Sequence, residues 1–305
     1  MTDTFDHTRL HTTMTSPKKD TDMTTTAINT ITATGTATDS CSDIVLESAA
    51  TRVTFSRIVS SEWFKFRSVK SNVIAITGAA AAAIGLGALF SSVAGTDGSS
   101  GRLAENPLSL SLGGFQLSQI IIAILGVALV AGEYQTGLIR TWFGAAPDRL
   151  RVLNAKVVVY GGLVFVVSLV AAVLAFLAGQ ALLPAGWEAL TLGSDGVLQA
   201  LVGTALYAAS IGVIGIGLGF LLRSTAVGAG AVVTVLMIAP VMVNLLPDSI
   251  GDPLGKILPS NAGAAIQGTE STTELLSTNW GLVVLFGWVI VTVGAAAVSL
   301  KRRDA

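Results

Sequence analysis

Six long apolar runs constrain this chain more than any other feature of its sequence. A helix of about 20 residues, rising about 1.5 Å per residue, crosses the hydrocarbon core of a bilayer, so each run predicts a membrane-spanning helix. The predicted spans are residues 73–94, 115–132, 157–183, 198–222, 226–246 and 280–300. Only Arg223-Ser224-Thr225 separates the fourth from the fifth, which predicts a tight charged turn. The expected fold is an all-α membrane protein with six transmembrane helices.

Ionisable residues are few and lie away from the middle of these spans. Charged residues make up 12% of the chain, against about 25% in a typical soluble domain. Glu133, Lys156 and Arg223 stand at span edges, and both histidines, His7 and His11, precede the first span. Proton-coupled carriers, intramembrane metalloenzymes and serine–histidine proteases need histidine or mid-membrane carboxylates. The pattern argues against these classes, and the chain is not expected to be an enzyme.

Residues 1–51 differ in composition from the rest of the chain. The segment is rich in Thr, Ser and Asp and contains no sustained apolar run. Such a segment buries too little apolar surface to offset the entropy lost on ordering, and it lacks the apolar core of a signal peptide. We expect a disordered Thr/Ser-rich cytoplasmic tail over 1–51 and one membrane domain over 52–305.

Basic residues are distributed unevenly between the two sets of loops. Thirteen flank the spans on the side of the N terminus, against two, Arg102 and Lys256, in the opposite loops. The thirteen lie within 52–70, within 140–156, at 223 and within 301–303. Short loops rich in Lys and Arg stay in the cytoplasm. Both termini are therefore predicted to be cytoplasmic, and the protein to be a multi-pass protein of the cell (inner) membrane.

Residues 54–70 form a predicted amphipathic helix before the first span. At about 100° per residue, one apolar stripe collects Phe55, Ile58, Val59, Trp63, Phe66 and Val69. Glu62 falls on the same face, where a carboxylate needs a protein partner such as an Arg. Two interpretations stay open: a helix that rests in the lipid interface, and one that also provides a docking surface for a cytoplasmic partner.

The segment between the second and third spans, 133–156, is longer than a helical hairpin needs, since such connections take about 2–8 residues. A short helix over 137–143, lying across the membrane face, would account for the length, and Pro147 would end it. An ordinary positively charged loop is the alternative. The close spacing of charged, glycine and aromatic residues favours a contact surface.

Five motifs follow one another along the predicted membrane domain. They are Glu62-Trp63-x-Lys65-x-Arg67-Ser68, Glu133-Tyr134-x-Thr136-Gly137-x-Ile139-Arg140, Pro147-x-Arg149-x-x-Val152-Leu153-x-Ala155-Lys156, Leu258-Pro259-Ser260-Asn261-Ala262-Gly263 and Lys301-Arg302-Arg303-Asp304. In this order they resemble the ABC-2 type permease family, the membrane-spanning subunits of ATP-binding cassette exporters, and the actinobacterial members most closely. The resemblance covers 52–305. Gln135 and Leu138 depart from the family pattern, where Arg and Thr are frequent.

The resemblance implies a particular arrangement around the six spans. It implies an N-terminal interfacial helix, a coupling helix between spans two and three, and short helices that re-enter the membrane from outside before the last span. The re-entrant part would occupy about 249–279, where Pro253, Pro259, Gly263 and Gly268 would break a long helix.

The resemblance also implies partners and site residues. A second permease copy or a paralogue would complete the pathway, and two P-loop ATPase chains would bind ATP and Mg²⁺. No cofactor, metal, catalytic residue or nucleic-acid partner is expected on this chain. The implied ATPase-coupling residues are Glu133, Tyr134, Gly137, Arg140 and Arg223, and the implied interfacial-helix residues are Glu62, Trp63, Lys65 and Arg67.

Glycines recur in the fourth and fifth spans, at Gly212, Gly215, Gly217, Gly219, Gly228 and Gly230. Part of the run looks like a dinucleotide-binding fingerprint, but no strand precedes it. Small residues let transmembrane helices approach closely, so we expect these glycines to pack helices together.

Two other functions stay open. An ion-coupled secondary carrier or channel would transport without an ATPase, and a membrane anchor or sensor would bind a cytoplasmic partner without transporting anything. An apolar pathway suits lipids, amphipathic drugs and peptides equally.

Overall fold

The computed structural model describes residues 54–94, 106–137, 149–268 and 276–302. Within these ranges every regular element is a helix. The predicted tail over 1–51 and most of the predicted coupling helix over 137–143 lie outside the described residues.

Helices make up most of the described chain. In chain order they are α1 (Phe55–Ser68), α2 (Lys70–Val93), α3 (Pro107–Leu112), α4 (Phe115–Gln135), α5 (Arg149–Ala181), α6 (Val197–Leu222), α7 (Thr225–Val233), α8 (Ala239–Asn244), α9 (Asp248–Gly255), α10 (Pro259–Gln267) and α11 (Thr278–Arg302). Six segments are long and apolar enough to cross a membrane: Lys70–Val93, Pro107–Gln135, Leu150–Ala181, Val197–Leu222, Thr225–Asn244 and Thr278–Arg302. The predicted all-helical fold with six candidate spans is confirmed, and the protein is membrane-embedded.

The third span begins earlier than its apolar run. The run predicts a start at 157, whereas α5 already begins at Arg149. The first turns of α5 carry polar and charged residues, among them Lys156, which is buried against other helices. Hydropathy marks the surface that faces lipid, so it misses helical turns whose charged side chains lie against protein.

α6 lies at the centre of the helices. Of its most apolar window, 78% is buried, against 17% for the span over Thr225–Asn244. A Cβ on Gly215 would lie 2.3 Å from the Ala123 carbonyl oxygen of α4, so the two backbones meet directly. Close neighbours also surround Gly212, Gly217, Gly219 and Gly228. The predicted packing role is confirmed for these five glycines and is wrong for Gly230, which has no such neighbour within 4 Å.

A sharp turn separates α6 from α7, as the sequence predicts. Arg223 adopts a left-handed conformation with φ of 53°, and its N–H donates to the carbonyl of Gly219. The Ser224 side chain then caps α7 by accepting a hydrogen bond from the Val227 N–H. The fourth and fifth spans therefore form an antiparallel hairpin.

The fifth span is not a regular α-helix. A π-helical turn, Thr234–Ile238, joins α7 to α8, and the Ala239 N–H donates to the carbonyl of Thr234 five residues back. Pro240 follows and has no N–H to offer to Leu236. The wider turn accommodates this missing donor and lets the helix continue to Asn244.

Two short helices, α9 and α10, connect the fifth and sixth spans. Pro259 occupies the first turn of α10, and Gly268, with φ of 61°, ends it. No long helix forms over the described part of 249–279, as the sequence predicts, although Pro253 lies inside the short α9 and Gly263 inside the short α10. At Gly263 the missing side chain leaves room for the Tyr207 ring of α6.

Candidate functional site

α1 turns a polar residue toward the transmembrane helices. Ile58, Glu62 and Phe66 are its buried residues. They recur every fourth residue, so they share one face of the helix, and this face packs against α5. The predicted apolar stripe is thus divided: Phe55 and Trp63 are each 42% exposed. Glu62 belongs to the protein-facing half.

A buried ion cluster forms where α1 meets the end of α4 and the start of α5. Lys156 Nζ donates hydrogen bonds to Glu62 Oε2 at 2.7 Å and to Glu133 Oε1 at 2.8 Å. Lys65 Nζ also donates to Glu133 Oε1. The same Nζ lies 3.9 Å from Glu62 Oε1. We call Glu62, Lys65, Glu133 and Lys156 the ion cluster.

Three members of the ion cluster are removed from solvent. Glu62 is 6% exposed, Glu133 7% and Lys156 6%. The effective penalty for burying an unpaired charge is several kcal/mol, and close opposite charges with hydrogen bonds offset it. Two carboxylates and two ammonium groups leave the cluster neutral overall. Pulling the three helices apart would leave these buried charges unpaired, which has a high free-energy cost.

A second contact joins α4 to α6 at the same end of the helices. The Arg223 guanidinium lies 4.9 Å from the centroid of the Tyr134 ring. The Tyr134 ring meets the Phe220 ring edge-on, with centroids 6.3 Å apart and planes at 88°. Both arrangements match the favourable electrostatics of aromatic rings. Residue 134 follows Glu133, so this contact and the ion cluster share the last turn of α4.

Substitutions at Arg223 should separate backbone strain from the ring contact. Its left-handed backbone costs about 1–2 kcal/mol for a non-glycine residue, and a cation–π contact contributes about 0.5–2 kcal/mol, more when it is desolvated. Arg223→Ala keeps the strain and loses the contact, so the melting temperature of the purified protein should fall. Arg223→Gly loses the contact but also relieves the strain, so its melting temperature should lie above that of Arg223→Ala. Equal melting temperatures for the two variants would contradict this account.

Some of the predicted site residues meet in these two contacts, some lie apart from them, and one lies outside the described residues. Glu62, Lys65 and Glu133 meet in the ion cluster, and Tyr134 meets Arg223. Trp63 and Arg67 are exposed and take no part in either contact. Gly137 lies in a turn with φ of 72°, two residues beyond the end of α4. Arg140 lies outside the described residues.

Sequence reasoning missed Lys156 as a site residue. It is the partner that the carboxylate of Glu62 needs, where the sequence suggested an Arg. One sequence signal could have found it: Lys156 stands at the edge of an apolar run, and Glu62 and Glu133 also border apolar segments. Pairing the three requires knowing that α1, α4 and α5 meet.

The ion cluster has no free carboxylate set for a metal ion. Its two carboxylates already accept hydrogen bonds from lysines. Among the described residues, no group of three or more His, Cys, Asp or Glu side chains is placed to hold a metal. What the arrangement can do is mechanical: it connects the middle of α1 to the end of α4 and the start of α5.

No protein-family model matches the sequence, and no curated protein matches it.

Proposed function

We propose that this chain is the permease subunit of an ABC-2 type exporter, which forms the membrane pathway for a substrate while a separate ATPase chain hydrolyses ATP. The support is the six candidate spans, the motifs of the resemblance, and the position of the ion cluster. In the described spans, Asp, Glu, Lys and Arg side chains stand only toward the span ends. Transport driven by a docked ATPase needs no charge at mid-membrane, whereas proton relays do.

The ion cluster is the observation that carries the proposal. Segment 138–148 connects α4, which bears Glu133, to α5, which bears Lys156. A partner that pulls on this segment acts on both helices, and Glu62 extends the effect to α1. Because the buried charges resist separation, we expect α1, the end of α4 and the start of α5 to move together. An ATPase docked on residues about 133–145 and 223–225 would transmit its closure to the spans in this way.

In this proposal α1 is an interfacial helix on the cytoplasmic side of the cell membrane. Phe55, Trp63 and Phe64 are exposed apolar residues on it. Arg57 and Arg67 are exposed on the same helix. Aromatic residues with nearby basic side chains suit the boundary between lipid tails and headgroups. The basic flanks of the spans support the same orientation, with both termini in the cytoplasm.

The proposal assigns α9 and α10 to a re-entrant element on the outer side. α10 buries Ala262 and Ile266 and packs between α6 and α11. The Trp288 Nε1–H of α11 donates to the carbonyl of Ile257 at 2.8 Å, which fixes the connection between the two short helices. A short helix held among spans would line the outer end of a pathway completed by a second permease copy or paralogue.

The first test is a detergent pull-down of the tagged chain co-expressed with the products of neighbouring genes, followed by mass spectrometry and an ATPase assay. The proposal expects a stoichiometric P-loop ATPase whose hydrolysis depends on ATP and Mg²⁺. An ATPase-free oligomer that transports in response to an ion gradient would replace the proposal with a secondary carrier or channel. An ATPase-free oligomer that transports nothing would favour an anchor or sensor.

Glu133→Gln should weaken coupling without removing the protein from the membrane. The amide still accepts a hydrogen bond from Lys156, but charge-assisted bonds contribute about 1.5–3 kcal/mol against about 0.5–1.5 for neutral ones. We expect the ATPase activity stimulated by the permease to fall about tenfold, which corresponds to about 1.4 kcal/mol. Asp252→Asn is the matched control, because Asp252 is exposed on α9 and far along the chain from the cluster. Equal activity of both variants would remove the cluster from the mechanism.

A further inference from the structure

A cavity lies beside the ion cluster. Its volume is about 320 Å³. Small-molecule sites have volumes of about 300–1,000 Å³, so the cavity is of ligand size. Its walls are mostly apolar, with Phe66, Leu129, Val159 and Ile216 among the residues that line it. Val69, which is 44% exposed, also lines it, so the cavity opens to the protein surface.

One end of this cavity is charged. All four members of the ion cluster line it. Glu62 Oε1 is buried and accepts no hydrogen bond from the part of the chain that the structure describes. Lys65 is the most accessible member, with 28% of its side chain exposed. A buried carboxylate oxygen without a donor is unfavourable, so a ligand that supplies an N–H group there would be stabilised.

We propose that the cavity binds a glycerophospholipid whose headgroup carries a primary ammonium, with phosphatidylethanolamine as the probe. The ammonium donates to Glu62 Oε1, the phosphate accepts from Lys65, and an acyl chain lies along the apolar walls. The cluster is neutral, so it favours a headgroup that is also neutral and carries both signs. The cavity belongs to a membrane-embedded protein and opens to its surface, where lipids are the abundant amphiphiles.

This proposal is independent of the permease proposal. It rests on the cavity, its apolar walls, the buried Glu62 Oε1 without a hydrogen bond from the described residues and the partly exposed Lys65, none of which requires an ATPase. A binding assay can therefore succeed or fail without deciding whether the chain transports anything.

The test is native mass spectrometry of the full chain, purified in detergent and titrated with phospholipids of identical acyl chains. The lipids are phosphatidylethanolamine, phosphatidylcholine and phosphatidylglycerol. We expect phosphatidylethanolamine to bind about tenfold more tightly than the other two, since choline has no N–H to donate and glycerol carries no positive charge. Equal retention of the three lipids would overturn the proposal.

Two neighbouring valines provide a matched pair of variants. Val159→Phe adds a ring inside the cavity, whereas Val158 is 55% exposed and does not line it. Val159→Phe should lower phosphatidylethanolamine binding about tenfold, and Val158→Phe should leave it unchanged. Equal effects of the two substitutions would show that the lipid binds elsewhere.

Glu62→Gln tests the headgroup contact. The amide fills the same space but has no negative charge, so the preference for phosphatidylethanolamine over phosphatidylcholine should disappear while the apolar walls still hold an acyl chain. A preference that persists in this variant would exclude Glu62 as the ammonium acceptor. If Glu62→Gln does not fold, the valine pair still decides whether the cavity is the site.

Discussion

Replacing Lys156 with methionine is expected to lower the free energy of unfolding by about 3–5 kcal/mol. Methionine keeps an unbranched apolar stem but removes the charge between Glu62 and Glu133. Lys65 alone would then balance two carboxylates, and its contact with Glu62 is the longer one, at 3.9 Å. The measurement is the melting temperature of the detergent-purified chain. It is read from the loss of the monodisperse size-exclusion peak as the protein is heated.

Two further variants serve as controls for the effect of Lys156→Met on stability. Lys256→Met removes an exposed lysine outside the cluster and should leave the melting temperature unchanged. The triple variant Lys156→Met, Glu62→Gln, Glu133→Gln removes the buried charges together and should recover much of the lost stability, because uncompensated charge is the main penalty. If Lys156→Met alone melts like the wild type, α1, α4 and α5 are not held together by these charges.

Gly215→Ala has the second largest expected effect, although it adds a single methyl group. The new Cβ would lie 2.3 Å from the Ala123 carbonyl oxygen, and a backbone atom cannot rotate away as a flexible side chain can. α4 and α6 must separate, and forcing extra volume into a packed interior costs about 1–3 kcal/mol. We expect a melting temperature lower by several degrees and a smaller yield of monodisperse protein.

Gly230→Ala is the matched control for this substitution. Gly230 is also helical, but nothing lies within 4 Å of the position that its Cβ would take. Alanine is the better helix former by about 0.8–1 kcal/mol, so this variant should melt at the wild-type temperature or slightly above it. The opposite order of the two alanine variants would show that close helix approach at Gly215 does not govern stability.

The spans could be predicted from the sequence because their signal is local. Apolar length alone marks a helix that crosses lipid, and the strained turn at Arg223 follows from the length of two adjoining runs. Apolar length did not predict the structure correctly where a helix packs against other helices instead of lipid. Hydropathy placed the start of the third span at 157, although the helix begins at Arg149. It also could not reveal that Gly230, unlike Gly215, faces no neighbour.

The candidate site could be predicted only in part, because its contacts are distant in sequence. Glu62 and Lys156 are 94 positions apart, and no periodicity connects them. The motifs contain Glu62, Lys65, Glu133 and Lys156 individually, but nothing in them marks Lys156 as the residue that joins the two carboxylates. The pairing is a property of how three helices assemble. The sequence suggested an arginine as the partner of Glu62, and the structure shows a lysine, which has the same charge.

The order of residues in the ion cluster bears on how the protein is made. Synthesis starts at the N terminus, so Glu62 and Glu133 leave the ribosome before Lys156. When the third span inserts, the acidic partners of its buried lysine are already at the membrane. Its insertion therefore does not wait for a later segment of the chain. A circular permutant that begins at residue 149 would reverse this order and expose the lysine to lipid unpaired. Such a chain should insert its first span poorly, although its final set of contacts is the same.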